Sequence, residues 1–585
     1  MSRVRAVVGG LALAATLSGC VGLHADSTIT PGLEFGPERP ERVVYLPPGP
    51  QANASAEATI RGFLRAAAVS GEGITVARSF LTDSLAETWK PDAHADIVEE
   101  GIQGPLRQIG STGYELSGAL VGTVDASGRL VPAPADATIT VRIGLVREAG
   151  QWRISELPDG FGRWLSRGAF SQLMSAVDLH YLAGDDLLVP DVRYLVSDSM
   201  ATRLAQAQLG PIPGYLTGAV SSDLTGLRLL VDAVTVADGV ASVDFAAARV
   251  SPDPAARRGM WGQLVATVTQ APTVTHVAVT VEGASLDLQG LAPPVAAPED
   301  VGFREAAVPA TSLPLLRLGT ALYPLDPARL SQGDLDTVVE KPSEFPDVGT
   351  QFTDIAMTPT GTEIAAVGGG ELARFRRGMG ESVPNFGSGL TGPAYDPDGW
   401  LWVAGRAGVQ RSGAIWVLDG RSWPPGSEAA APRPLLAPWL AERRPVAIAL
   451  SADGARAAVI STDARGRGPR LEIAGVLRDP AGAPTALAAE PLRLAPSLTR
   501  ITDVAWIGAT EVAVLASSDT EAVAPHVVTL GQQVRPLPVA PGAEAITTLG
   551  GERRIVVTTA DGLLLRAGGT WQRVGVGDDL VVAGR

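Results

Sequence analysis

The feature that most constrains this fold is a pattern that recurs along the C-terminal half: a short apolar strand, a tight polar turn and a second apolar strand. It runs Ile355-Ala356-Met357, Thr358-Pro359-Thr360-Gly361, Ile364-Ala365-Ala366-Val367. It returns as Ala394-Tyr395, Asp396-Pro397-Asp398-Gly399, Leu401-Trp402-Val403, and again as Val446 to Leu450, Ser451-Ala452-Asp453-Gly454, Ala457 to Ile460. Weaker copies pair Val504-Ala505-Trp506 with Val512 to Leu515, and Ala545-Ile546 with Ile555-Val556-Val557. A unit of this kind, repeated roughly every 40 to 55 residues, cannot bury both faces of its sheet alone, so the copies must stack. Closing them in a ring also hides the strand edges, which predicts a β-propeller over residues 313–585. The five copies give five blades; Ala321 to Leu325 either adds a sixth or closes the last. The Pro-Asp-Gly turn lacks the distal Glu and full spacing of a calcium loop, and reads as a hairpin turn.

Ahead of the repeats the periodicity is mixed, predicting two α+β domains. Over residues 51–160, Ile60, Phe63, Leu64 and Ala67 share one helix face that stops at Gly71. A second helix carries Phe80, Leu81, Leu85 and Trp89, and strands follow at Tyr114 to Val124, Ala137 to Val146 and Trp152 to Ser155. This helix–helix–strands order resembles the NTF2-like cone fold, some members of which use a pocket Asp–His pair. His94 and Asp96 are the nearest candidates here, but after Pro91 they read as solvated loop residues. Over 161–292, Asp178 to Leu182 reads as a strand and Leu188 to Arg193 as an edge element, and Met200, Leu204 and Ala207 mark a helix. Asp253 caps a further helix with Pro254 at its first position and Trp261, Leu264, Val265 and Val268 as its buried stripe. The strings Asp238 to Asp244, Gln263 to Thr269 and Val274 to Gly283 resemble the GerMN domain, a binding or assembly module. Residues 293–312 carry Pro293, Pro294, Pro298 and Pro309 and read as a linker.

The chain holds one cysteine, which excludes an intramolecular disulfide, a thiolate zinc knuckle or an iron–sulfur site. Its position is informative. Arg3 and Arg5 precede an apolar run from Val7 to Leu17, which ends in Leu17-Ser18-Gly19-Cys20 and matches a bacterial lipobox. Residues 1–19 are then a lipoprotein signal peptide. Cys20 becomes the first mature residue, as S-diacylglycerol and N-palmitoyl cysteine. At about 0.8 kcal/mol per buried methylene, two or three acyl chains hold a protein at a cell membrane effectively permanently. Residues 20–50, with Pro31, Pro37, Pro40, Pro47, Pro48 and Pro50, read as a tether to the extracytoplasmic face.

With 62 acidic against 47 basic residues the net charge is −15, which repels phosphate backbones and disfavours nucleic acid as a partner. No GxSxG elbow, Walker loop or strand-borne GxGxxG occurs. The five histidines (His24, His94, His180, His276, His526) are scattered, and the acid pairs Asp185-Asp186 and Asp578-Asp579 read as solvated turns. The expectation is a binding protein with no catalytic residues, no metal and no cofactor.

The lipobox at Leu17 to Cys20, the NTF2-like and GerMN segments and the repeated turns occur in that order. The arrangement resembles the actinobacterial lipoprotein LpqB family. The resemblance implies association with the extracytoplasmic domain of the sensor histidine kinase MtrB, in the MtrA–MtrB two-component system of cell-wall metabolism and division. The alternative is a receptor for cell-wall components or a small ligand, using the propeller face.

Overall fold

The computed structural model describes residues 46–585, apart from 135, 185, 287, 289, 292, 308–312, 327–341, 409–411, 426, 518–521 and 585. Cys20, the signal peptide and most of the tether lie outside the described residues.

The first domain opens with α1 (Ala56–Ala67), whose start is fixed by the Ser55 hydroxyl accepting from the Ala58 N–H at 3.1 Å. Ile60, Phe63, Leu64 and Ala67 are buried as their spacing predicts. The expected second helix is instead two short ones, α2 (Glu72–Arg78) and α3 (Asp83–Thr88). The break has a local cause: Thr82 is extended, and its N–H donates to Ile154 O at 2.9 Å, so the backbone between the helices pairs with a strand. The helices cover a sheet of β1 (His94–Val98), β2 (Leu106–Ile109), β3 (Gly113–Asp125), β4 (Leu130–Pro132), β5 (Thr138–Glu148), β6 (Gln151–Glu156) and β7 (Arg163–Ser166). Its main path is β6-β5-β3-β1-β7, with β1 and β7 parallel. Trp89 sits edge-on to Phe63 at 5.2 Å between ring centroids and donates its indole N–H to Gly162 O, closing the core.

The second domain follows through α4 (Arg167–Leu173) into the long hairpin β8 (Met174–Ala183) and β9 (Leu187–Val196). After α5 (Met200–Gln208) come β10 (Thr235–Ala237) and β11 (Val240–Phe245), then α6 (Pro254–Val268), β12 (His276–Val281) and β13 (Ala284–Ser285). Asp253 caps α6 by accepting from Ala255 N–H, and Trp261, Leu264, Val265 and Val268 are fully buried. Because α6 crosses over, β11 and β12 pair in parallel. The proline-rich stretch after it is no free linker as far as residue 305. Val295 bridges Val277, Val301 and Phe303 enter the core, and β14 (Arg304–Glu305) pairs with β9. Phe303 fits because α6 has a glycine beneath it: a Cβ on Gly262 would lie 2.5 Å from the ring. β9 is consequently the central strand of three, not an edge.

Among the described residues the C-terminal region forms six antiparallel sheets. Their inner strands are Phe352–Met357, Ser388–Tyr395, Arg444–Leu450, Arg500–Trp506, Ala543–Thr548 and Asp579–Val581. Each inner strand packs on the next sheet, and Asp579–Val581 meets both the last and the first, closing the ring. Asp579–Val581 pairs with Leu315–Leu318, so residues from both ends of the region share one sheet. The turn after the inner strand is locked from within: the buried Asp396 accepts from Trp400 N–H and Trp402 Nε1, and Ser451 Oγ accepts from Arg456 N–H. Arginines staple the sheets together. Arg374 forms a fully buried pair with Glu363 and donates to Gly420 O in the next sheet, while Arg478 reaches Asp396 at 2.7 Å.

Candidate functional site

Two polar constellations stand out, and both arise from where strands place acids. The first is axial. All six inner strands line a cavity of about 360 Å³ along the ring axis. Three of them carry an aspartate at the same place in the repeat: Asp354 in Thr353-Asp354-Ile355, Asp503 in Thr502-Asp503-Val504 and Asp579 in Asp578-Asp579-Leu580. Withdrawal from bulk water pushes Asp579 up to about 6, and the negative charges of Asp503 and Asp354 add to the shift. Asp354 is exposed and lines the same cavity, and its pKa is raised by desolvation and by Asp503. Arg317 and the Leu580 N–H lower the Asp579 pKa, but the Arg317 donors go to the carbonyls of Gly319, Phe352 and Gly349. Among the described residues neither Asp354 nor Asp579 forms an ion pair. The reading of Asp578-Asp579 as a solvated turn holds for Asp578, which sits in an exposed bend, and is corrected for Asp579. Asp578 accepts from Gly319 N–H, and Asp579 belongs to the strand that closes the ring.

Ala449 and Val582 of this cavity also line a second, smaller one of about 110 Å³. Pro359, Pro397 and Ala452 of the repeated turns, with Tyr395, Leu450 and Trp506, make this end of the axis apolar.

The second constellation is the junction of the domains. Asp191 of β9 is 1% exposed. It accepts from Arg193 Nε at 2.6 Å, from the Tyr215 hydroxyl at 2.9 Å and from Arg129 of the first domain at 3.1 Å. The Tyr215 phenol is held well above its usual range by burial and by the Asp191 charge. On the propeller side, Arg456 donates to Pro190 O and stacks over Trp506, and Tyr194 donates to Gly531 O. Gly475 allows the approach: a Cβ there would meet the Ala219 methyl at 2.6 Å.

A further cleft of about 840 Å³ lies between the first domain and the propeller, with Phe170, Tyr194, Arg167 and Gln532 among its walls.

His94 and Asp96 lie not in a loop but on β1, where alternate residues share a face. His94 Nε2 is 3.0 Å from Asp96 Oδ1, and this bond raises the His94 pKa. Neither lines a cavity described above. His180 is buried between Thr267 and Glu305, at 3.0 and 2.9 Å. Among the described residues no three His, Cys, Asp or Glu side chains converge to hold a metal ion, and no helix is long and apolar enough to cross a membrane.

The architecture agrees with comparisons to known proteins. Residues 49–171 match the family described as "Lipoprotein LpqB, N-terminal domain", 178–287 match "Sporulation and spore germination" (the Germane domain) and 329–579 match "Lipoprotein LpqB beta-propeller domain". These matches define a modular lipoprotein that joins an α+β domain, a GerMN domain and a propeller. Relatives named "Lipoprotein LpqB" occur in Cutibacterium acnes, at 28% identity over 47% of this chain and 46% of that protein. Another, from Mycobacterium tuberculosis, is 26% identical over 82% of this chain and 81% of its own length. The chain belongs to the LpqB lipoprotein family. It spans about half the length of the Cutibacterium acnes relative and 38% of that from Bifidobacterium longum, to which it is 30% identical. Among solved structures it is similar to TolB from Acinetobacter baumannii, at 14% identity over 53% of this chain and 83% of that chain with a TM-score of 0.30. It is also similar to the tandem GerMN domains of GerM from Bacillus subtilis, at 20% identity over 23% and 47%, with a TM-score of 0.18.

Proposed function

We propose that this protein is an extracytoplasmic lipoprotein, anchored through lipid on Cys20, that binds the external domain of an MtrB-like sensor histidine kinase and modulates its signalling in envelope homeostasis and division. The reading takes 1–19 as signal peptide, 20–50 as tether, 51–160 as an NTF2-like domain, 161–292 as GerMN and 313–585 as a six-bladed propeller. It assigns the protein no catalysis. The observation that carries it is the order of the three family matches on a chain that opens with a lipobox. Tethering both partners to one membrane raises their effective concentration, so a weak contact is populated.

The test is direct association of the full mature chain with the kinase's external domain, together with the kinase's output in cells lacking this protein. No association and an unchanged output would end the proposal. The axial cavity favours a second reading, a receptor for a cell-wall component or small ligand. Retention on purified peptidoglycan, with no kinase binding, would select it.

A further inference from the structure

The axial cavity has a chemistry that the kinase reading does not use, and its two ends differ. One end is apolar, walled by Pro359, Pro397, Leu450 and Trp506. Further along, three inner strands present Asp354, Asp503 and Asp579, with Glu544 and Asp578 on the same wall. Among the described residues Asp354 and Asp579 form no ion pair, and the negative charge of Asp503 raises the pKa of both, so this part of the cavity wall is rich in mutually repelling carboxylates. Thr547, 6% exposed, belongs to the same wall, and its buried hydroxyl has no hydrogen-bond partner. The carboxylates are too dispersed to ligate one metal ion. What fits a dispersed acidic stretch behind an apolar mouth is an extended organic cation, its stem against carbon and its charged head among the acids.

We propose that the propeller axis binds an ammonium or guanidinium group carried on an aliphatic stem, with the head among Asp354, Asp503 and Asp579 and the stem in the mouth walled by Leu450 and Trp506. The inference stands apart from kinase binding: a free amine and a basic side chain presented by a partner share this chemistry, and the experiment below tells them apart.

Isothermal titration of the full mature chain with 1,5-diaminopentane and with a short blocked lysine/arginine peptide tests it, with 1-pentanol as the uncharged control. Saturable binding of either cation at pH 7.5, and none of pentanol, is expected. Binding of the diamine alone identifies a small-molecule site, and binding of the peptide alone a side-chain site; either supports the proposal. The D354N/D579N double variant should weaken binding at least tenfold, whereas D159N on the exposed surface should not. Because Asp579 faces Asp354, Asp503, Asp578, Glu544 and Arg317, its protonation removes charge from an otherwise acidic wall, so binding by the unaltered chain should also weaken several-fold between pH 7.5 and 5. That second readout does not depend on the variant's folding. Absence of binding by both cations, equal binding by the double variant when folded, or binding unchanged at pH 5 would each overturn the proposal.

Discussion

Asp191 and Asp579 are both aspartates on strands withdrawn from bulk water, and they meet opposite fates. Asp191 is surrounded by donors, with Arg129, Arg193 and the Tyr215 hydroxyl all directed at it. Asp579 accepts one backbone N–H, from Leu580, and otherwise faces the acids Asp503 and Asp354 and the Arg317 guanidinium, whose donors go to backbone carbonyls. A carboxylate supplied with two guanidinium groups is a fastener. One left among like charges is a cost the fold carries, and such costs concentrate where something binds.

The contrast can be broken by mutation. The largest effect is expected at the fastener: Asp191→Ala leaves two arginines uncompensated and should cost about 3–5 kcal/mol. Chemical denaturation would report the loss, and limited proteolysis should show the first domain cut free of the rest. Asp579→Asn should act in the opposite sense. The folded state raises this carboxyl from 3.8 to about 6, so its proton is held more tightly folded than unfolded. That contribution is complete below the unfolded value and disappears as pH rises through about 6. The asparagine variant cannot ionise, so it should match the unaltered protein near pH 4 and exceed it by on the order of 1–3 kcal/mol above pH 7. Melting curves across pH 4–8 check it, and parallel curves for the two proteins would remove the contrast.

Gly475→Val sharpens the comparison from the packing side. Its side chain would enter the space of Ala219 and the Tyr215 carbonyl, and should cost about 1–3 kcal/mol while leaving the ring intact. Near-ultraviolet circular dichroism would separate a loosened junction from a lost propeller. The smallest effect is expected for Asp253→Ala, about 1 kcal/mol, since it removes only the cap of α6.

The stripes and turns of this molecule were legible in the sequence because they follow a local period. The faces of α1 and α6, the Asp253 cap and the strand–turn–strand copies all follow from spacing alone. What escaped was set by partners distant in the chain. The second helix breaks because Thr82 pairs with Ile154. Residues 293–305 pass for a linker until Val301 and Phe303 are seen filling the space beside α6. Asp579 reads as a turn residue because the strand it joins begins at Leu315. The axial acids did leave a trace, the recurrence of Thr353-Asp354-Ile355 as Thr502-Asp503-Val504 and Asp578-Asp579-Leu580. Aligning the inner strands by their turns would have exposed it. Arg129, Arg193 and Tyr215 left no such trace, because their convergence on Asp191 depends on how separate domains dock.

The pairing of Leu315 with Val581 gives the hoop a single seam. Every other sheet of the ring is assembled from strands close in sequence, whereas this one must wait for the slowest, most distant encounter. Mechanical load or a crowded folding environment should therefore act there first, and the axial site, one wall of which is that seam, exists only while the hoop is fastened.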